Sequence, residues 1–556
     1  MNRKKINLIV TDNQIVYPPE SGAPRRIFNL FSNLPKDYNV NYIGVTGFPY
    51  LDKSDKKIKK NFTEHTISLS KPFILVNNFF HNLVKSVPTF DIICYYFMFL
   101  NPRYRRKIAE YSGKADILVA THPWMFSSLK KIRKNRILIY DAHNCEYLLY
   151  KEYFKDTLLN DIFCKLIFRI EKNACRKSDL IFACCENDKN SFSKVYNIDK
   201  EKIHVIPNTI DTGFLKYPTK EQKTKAKEEL NLEGNKNILF VGTRYLPNIE
   251  ALDFIMKNLV FDKTLKNLKF LVVGNIDEYF YENVDKYISF RKDVIIQKTK
   301  NLSGGLIGSG FFPLERWGKT GFDARWTKKK FGFYIFDKKA EKIILRARSL
   351  KKIIGSVYVN GSLIKDVIFK TGIEFKDFSI DIPKKLSKSK LEVEIVLDRM
   401  NRPFIFDTRE VGITLSDISY FIGTKRKNMQ KNISLNETIL PYLLPKNIIF
   451  FGRVDNEKYR KLLYASDIAI NPVKHGSGIN IKMLDYMAVG LPVVTTKQGA
   501  RGLFLDKKHI SELGNFKSRI LQFLISGNKI SYDTKVLTNK YNIERIDKLI
   551  KSYHKS

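Results

Sequence analysis

Cysteine is scarce in this 556-residue chain. The six present, Cys94, Cys145, Cys164, Cys175, Cys184 and Cys185, show no C-x-x-C spacing. That argues against a disulfide framework and a cysteine zinc site, and predicts the reduced thiols of a cytosolic compartment. Long apolar runs are missing as well. The most hydrophobic region, around Phe90–Leu100, is broken by Asp91 and flanked by Pro88 and Pro102; it is too short to span a bilayer and reads as a buried helix. Residues 1–20 hold a short apolar run, Ile6 to Val10, then Asp12, Asn13 and a proline pair, so no signal-peptide pattern is read there. Acidic charge is also short: 57 Asp+Glu face 97 Lys+Arg, a net charge of +40 that attracts polyanions. With no Arg-rich tail, RNP-type aromatic motif or helix-turn-helix signature, nucleic acid is not the expected partner. The expectation is a cytoplasmic protein, peripheral at an anionic inner membrane face, that handles phosphate-bearing substrates.

What is present points to several folded domains. The length exceeds what one hydrophobic core serves, and 44% apolar with 28% charged residues suits a globular chain. In residues 1–210, apolar runs at Ile6–Val10, Asp116–Thr121, Arg136–Tyr140, Asp179–Ala183 and Lys202–Ile206 alternate with helical stretches. None shows period-2 alternation, which predicts parallel strands covered on both faces, one Rossmann-like lobe. The pattern repeats at Ile238–Val241, Phe270–Val273, Ile448–Phe451, Asp467–Ile470 and Val493–Thr495, giving a second lobe over 234–290 and 445–535. Roughly 170 residues separate Gly274 from Asn447, far more than an ordinary connection. Within that interval Phe331, Phe333 and Ile335, then Val357 and Val359, then Leu391, Val393 and Ile395 alternate, with Asn360–Gly361 as a hairpin turn. These strands predict an inserted β-sandwich or jelly roll over 300–425, a candidate carbohydrate-binding domain. Asn432–Leu444 reads as a helix leading back. The segment 541–556 reads as an amphipathic helix joining the first lobe.

One stretch carries chemistry most plainly. From Gly476 to Val494 the order is glycine loop, helix, glycine stop, strand. Gly476 and Gly478 permit close backbone approach, and the helix N-terminus offers free N–H groups to a diphosphate. Lys482 and Asp485 share a helix face. The lysine supplies positive charge, and the carboxylate can accept two hydrogen bonds from a ribose diol.

This stretch resembles the donor-binding motif of retaining family 4 glycosyltransferases, the glycogen-synthase-like group with the two-lobed GT-B fold. The resemblance extends to Tyr17–Pro24 after the first strand, Asp141–Glu146, Val205–Asn208, Phe240–Thr243, Phe450–Val454 and Tyr464–Asp467, in the family's order. It covers residues 1–275 and 446–510 and leaves the insert outside. It implies a GT-B α/β fold and transfer of a sugar, with retention and without a metal or other cofactor, from a nucleoside-diphosphate sugar to a glycan or lipid-linked acceptor. By the same resemblance His122 lies beside the transferred sugar as a positioning and electrostatic group, and Asp485 holds the ribose. Gly22, Arg244, Gly478, Asn480 and Lys482 complete the donor site. Two positions depart from the pattern. Ser477 replaces the family's first glutamate, and Arg244 stands without the accompanying lysine, which shifts diphosphate charge onto Lys482. Two other readings stay open. A sugar-nucleotide 2-epimerase shares the architecture but needs acid and base side chains at the ring, and no paired carboxylates are read there. A non-catalytic glycan-binding protein could grip sugar through Glu315, Trp317, Arg325, Trp326, Arg402, Asp407 or Arg409 of the insert.

Overall fold

Hydrophobic residues in the first apolar runs serve two cores at once. Leu8 and Val10 enter one cluster while Ile9 enters another, and Val119 and Leu118 divide in the same way. That is the mark of strands covered on both faces. The structure, a computed structural model, describes residues 5–19, 22–46, 55–83, 89–153, 158–210, 213–283, 286–287, 304–312, 315–317, 322–372, 374–387, 390–401, 410–430, 444–476, 479–526, 530 and 532–555. It divides into two compact units, Met1–Ala251 with Asp455–Ser556, and Leu252–Val454.

The first unit carries an eight-stranded sheet in the order β3-β4-β2-β1-β5-β6-β7-β8. Its strands are β1 (Ile6–Asp12), β2 (Tyr38–Thr46), β3 (Asp55–Lys59), β4 (Phe62–Ser68), β5 (Ile117–Ala120), β6 (Ile137–Asp141), β7 (Leu180–Ala183) and β8 (Ile203–Val205). All pair in parallel except β3, which turns back antiparallel on β4. The five expected runs are all strands. The alternation of apolar runs did not reveal β2, β3 and β4. Asn39 and Asn41 interrupt β2, and β4 buries Glu64 and His65, so polar residues sit where an apolar run was sought.

Helices α1 (Gly22–Phe31), α2 (Lys71–Leu83), α3 (Thr89–Phe97) and α4 (Pro102–Ser112) follow the early strands. The terminal helix Asn539–Lys555 places Ile546 and Ile550 in the same core as Leu8 and Ile27, and Tyr38 donates to Asp547 at 2.7 Å. In the same unit β9 (Lys236–Val241), Ile468–Asn471 and Val493–Thr495 pair in parallel. The helix Ile481–Ala488 joins the last two. Gly490 ends that connection at φ +64, and a Cβ there would enter the Tyr217 ring, so only glycine fits.

In the second unit Leu268–Val273 and Ile448–Gly452 pair in parallel. Between these neighbours the chain builds two antiparallel sheets. Gly305–Ile307, Lys330–Ile335, Leu391–Leu397, Ile353–Val359 and Ser362–Phe369 form one. The other centres on Lys342–Arg348 and Thr414–Ile422. Phe333, Val357 and Val393 of the first share a core with Leu345, Ile380 and Ile418 of the second, which makes a sandwich. Asn360 and Gly361 both have positive φ, +51 and +83, the geometry of a tight hairpin. The helix expected over Asn432–Leu444 falls almost wholly outside the described residues.

One buried ion pair ties the first lobe together. Arg26 of α1 is 2% exposed and meets the fully buried Asp141, Nη2 to Oδ1, at 2.5 Å. Its Nη1 also donates to the Ile206 carbonyl at 2.7 Å and to Asn208 Oδ1 at 3.0 Å. Replacing Arg26 by Met leaves a buried carboxylate without its cation. The expected cost is about 3–5 kcal/mol, measured as a lower midpoint in urea unfolding.

Candidate active site

The C-terminal edges of β1, β5 and β6 lie side by side, Thr11 opposite Ala120 and Ala120 opposite Tyr140. This edge of a parallel sheet is where ligands of open α/β folds bind. Asp12 ends β1, His122 follows β5, and Asp141 and His143 follow one another at the end of β6. His122 Nδ1 lies 2.9 Å from Asp12 Oδ2, and its ring centroid is 4.2 Å from that of His143. Burial alone would lower the His122 pKa, but the charge and hydrogen bond of Asp12, with Glu146 and Asp91, outweigh it and raise it from 6.5 to about 9. His143 goes the other way. Burial and the neighbouring His122 charge lower it to about 4 against the pull of Asp141. The two histidines therefore divide into one imidazolium and one neutral ring at pH 7.

Glu146 stands across from this pair, its Oε1 4.0 Å from His122 Nε2. Burial pushes its carboxyl up to about 8, with His122 opposing. The fully buried Glu171 fixes its backbone by accepting from the Glu146 and Tyr147 amides at 2.9 Å and from the Tyr140 and Tyr196 hydroxyls. His122 is thus the centre of a charged cluster.

The helix Ile481–Ala488 brings the second set of groups. Its N-cap is Asn480, whose Nδ2 reaches the Gly499 carbonyl at 3.5 Å, and Gly499 in turn donates to Thr496 Oγ1 at 2.9 Å. Gly22, at the start of α1, lies close enough that an added Cβ would sit 3.4 Å from Ile481 Cδ1. Asp485 is 6% exposed and its Oδ2 accepts from Arg25 Nη1 and from the Tyr459 hydroxyl, each at 2.7 Å. Its Oδ1 accepts from no described group. Lys482 turns to a different neighbourhood, donating to Asn248 Oδ1 at 2.7 Å with its ammonium 4.6 Å from the Phe240 ring centroid. Among the described residues no carboxylate pairs with it. Burial lowers its pKa to about 7. The carbonyl of Gly476 accepts from Gln498, and its amide donates weakly to Glu152 at 3.4 Å.

Of the expected site residues, Gly22, Asn480, Lys482 and Asp485 therefore gather around one helix, and His122 stands at the sheet edge. Arg244 is exposed beyond β9. Gly478 and Ser477 lie outside the described residues. Sequence reasoning missed Arg25, Tyr459, Asn248, Asp12 and Glu146 as members of this constellation. Arg25 adjoins the quoted Tyr17–Pro24 loop and Glu146 ends the quoted Asp141–Glu146 stretch, but only folding shows which charges meet. In the insert, Arg325 and Trp326 are buried, 3% and 0% exposed, with Arg325 Nη1 donating to the Phe312 carbonyl at 3.1 Å. Buried in this way, neither side chain is placed to grip a sugar from solvent. Arg402, Asp407 and Arg409, and the side chains of Glu315 and Trp317, lie outside the description.

Residues 23–214 match the family model for Glycosyltransferase Family 4, and residues 419–515 match that for Glycosyl transferases group 1. No curated protein sequence matches the chain significantly. Among solved structures, Anabaena Alr3699/HepE in complex with UDP is similar at a TM-score of 0.52 and 11% identity, covering 99% of this chain and 100% of that chain. The same protein with UDP and glucose, and with UDP-glucose, gives 0.51 in each case at 11% and 10% identity, covering 98% of this chain and 100% of that chain. The fold is of the GT-B type, and both matched segments are those of glycosyltransferase family models.

The His122 cluster sets a pH window. The folded pKa of His122 is raised, so its stabilising share is full below pH 6.5 and is lost as pH rises through about 9. Asp12→Asn removes the dominant partner. It is expected to bring the His122 titration back below 7, read by imidazole NMR, and to flatten the decline of stability across that window.

Proposed function

We propose that the protein transfers a sugar from a nucleoside-diphosphate sugar, with UDP as the nucleotide, to a glycan or lipid-linked acceptor with retention of anomeric configuration. The observation that carries this reading is the helix Ile481–Ala488, which starts beside Gly22, meets Arg25 of α1 through Asp485 and carries Lys482 in its first turn. A carboxylate with an open oxygen suits ribose hydroxyls. A helix N-terminus and unpaired ammonium suit a diphosphate. The complexes of HepE with UDP and UDP-glucose support the same donor class.

In this reading the leaving diphosphate gains negative charge as the glycosidic bond to phosphate breaks. Lys482 and the helix N-terminus stabilise it, so the chemistry requires no metal. The imidazolium of His122 donates to a hydroxyl of the transferred sugar and opposes no carboxylate needed as base. The departing phosphate oxygen takes the acceptor proton as the new bond forms on the same face. A 2-epimerase would instead change the sugar with no acceptor present.

Three measurements test this. Asp485→Ala should weaken UDP binding by about 1.5–3 kcal/mol in calorimetry, and unchanged affinity removes Asp485 from the site. Because burial lowers Lys482 to about 7, its share of UDP affinity should fall as pH rises from 6.5 to 8.5, and affinity in Lys482→Met should lack that fall. Turnover with a sugar acceptor should give a product whose anomeric proton coupling matches the donor and should survive chelation. An epimerised donor formed without acceptor overturns the reading.

A further inference from the structure

The first unit exposes an apolar face that its own core does not use. On α2 the solvent side carries Lys71, Leu75 and Phe79, with Leu75 68% and Phe79 63% exposed. Phe79 contacts Phe80 at 5.5 Å between ring centroids, Phe80 contacts Phe97 at 5.9 Å, and Phe97 contacts Phe99 at 6.2 Å. The chain of rings joins α2 to the end of α3, where Phe99 is 50% exposed. Phe80 and Phe97, which pack against the core, thus link the exposed rings of Phe79 and Phe99, and Leu75 lies one turn before Phe79 on α2.

Its charge is one-sided. From Lys71 to Lys107 the sequence holds six Lys and Arg and a single acid, Asp91. Asp91 is spent internally, accepting from Asn13 and Tyr150 at 2.6 Å each. Directly after Phe99, α4 presents Arg103, Arg105 and Arg106 to solvent, and none of the three pairs with a described acid. No described helix is long and apolar enough to cross a membrane.

We propose that this face, Leu75, Phe79 and Phe99 beside Arg103, Arg105 and Arg106, seats the protein on an anionic lipid bilayer. The rings and leucine enter the headgroup boundary while the guanidiniums meet lipid phosphates. A second copy of the chain is the poorer occupant. It would set the same arginines against each other in a molecule already at +40. The inference stands apart from the transferase reading, since it uses none of the donor-site residues.

Flotation of the full chain with vesicles tests it, using phosphatidylcholine alone and phosphatidylcholine containing phosphatidylglycerol. The protein is expected to float with the anionic vesicles and about tenfold less with the neutral ones. Leu75→Ser/Phe79→Ser/Phe99→Ser should lose about tenfold of that binding, with thermal melting and UDP affinity unchanged. Arg103→Gln/Arg105→Gln/Arg106→Gln should erase the preference for anionic lipid. Failure of the wild-type chain to float overturns the proposal, as does a triple serine variant that floats equally well. So does dimer formation in solution that the serine variant abolishes.

Discussion

Two consecutive arginines on one short helix hold the first unit's chemistry in place. Successive residues on an α-helix point about 100° apart, so Arg25 and Arg26 of α1 serve different partners. Arg26 turns into the sheet edge and neutralises the buried Asp141 at the end of β6. Arg25 reaches Asp485 on the helix Ile481–Ala488. A second cross-connection, Arg501 to the buried Asp188 at 2.7 Å, and the close packing of Gly502 against Cys185 reinforce the approach. The sheet edge and the helix Ile481–Ala488 are therefore registered through one element, α1. A shift of α1 would disturb the His122 neighbourhood and the Asp485 carboxylate together.

The sequence reading reached furthest where burial leaves an unambiguous trace. Strands covered on both faces appear as unbroken apolar runs, and β1, β5, β6, β7 and β8 were legible for that reason. The sandwich announced itself through alternation and the Asn360–Gly361 turn. By contrast, β4 hides in Phe62–Ser68, because Glu64 and His65 are buried and held by hydrogen bonds: Glu64 accepts from the Val16 amide at 2.6 Å, and His65 faces Asp55 at 2.8 Å. A buried polar residue with a satisfied partner looks like loop composition until the partner is known. The same limit governs the site. Glycine loop and helix were readable from spacing, whereas Asp12 meets His122 from 110 positions away.

Electrostatics divides the site into two provinces. At the sheet edge, carboxylates outnumber cations and keep His122 charged beyond neutral pH. Around Lys482, burial without a carboxylate lowers the ammonium toward 7. A lysine kept short of an anion gains most when an anion arrives, since binding restores the charge that desolvation disfavours. An acid beside Lys482 would have satisfied it in advance and weakened that response. The surplus positive charge of the whole chain works in the same direction at longer range, within the roughly 8 Å that salt leaves unscreened.

Asp485 shows how a carboxylate can serve a structural contact and still leave one oxygen open to a ligand. Oδ2 is committed to Arg25 and Tyr459, which fixes the orientation of the group and holds α1 against the helix. Oδ1 remains, with two lone-pair directions of its own. A diol approaching that oxygen finds it already oriented, so binding need not spend entropy on ordering the side chain. Arg25 then acts as a positioning residue for the carboxylate, and the ion pair leaves Oδ1 untouched.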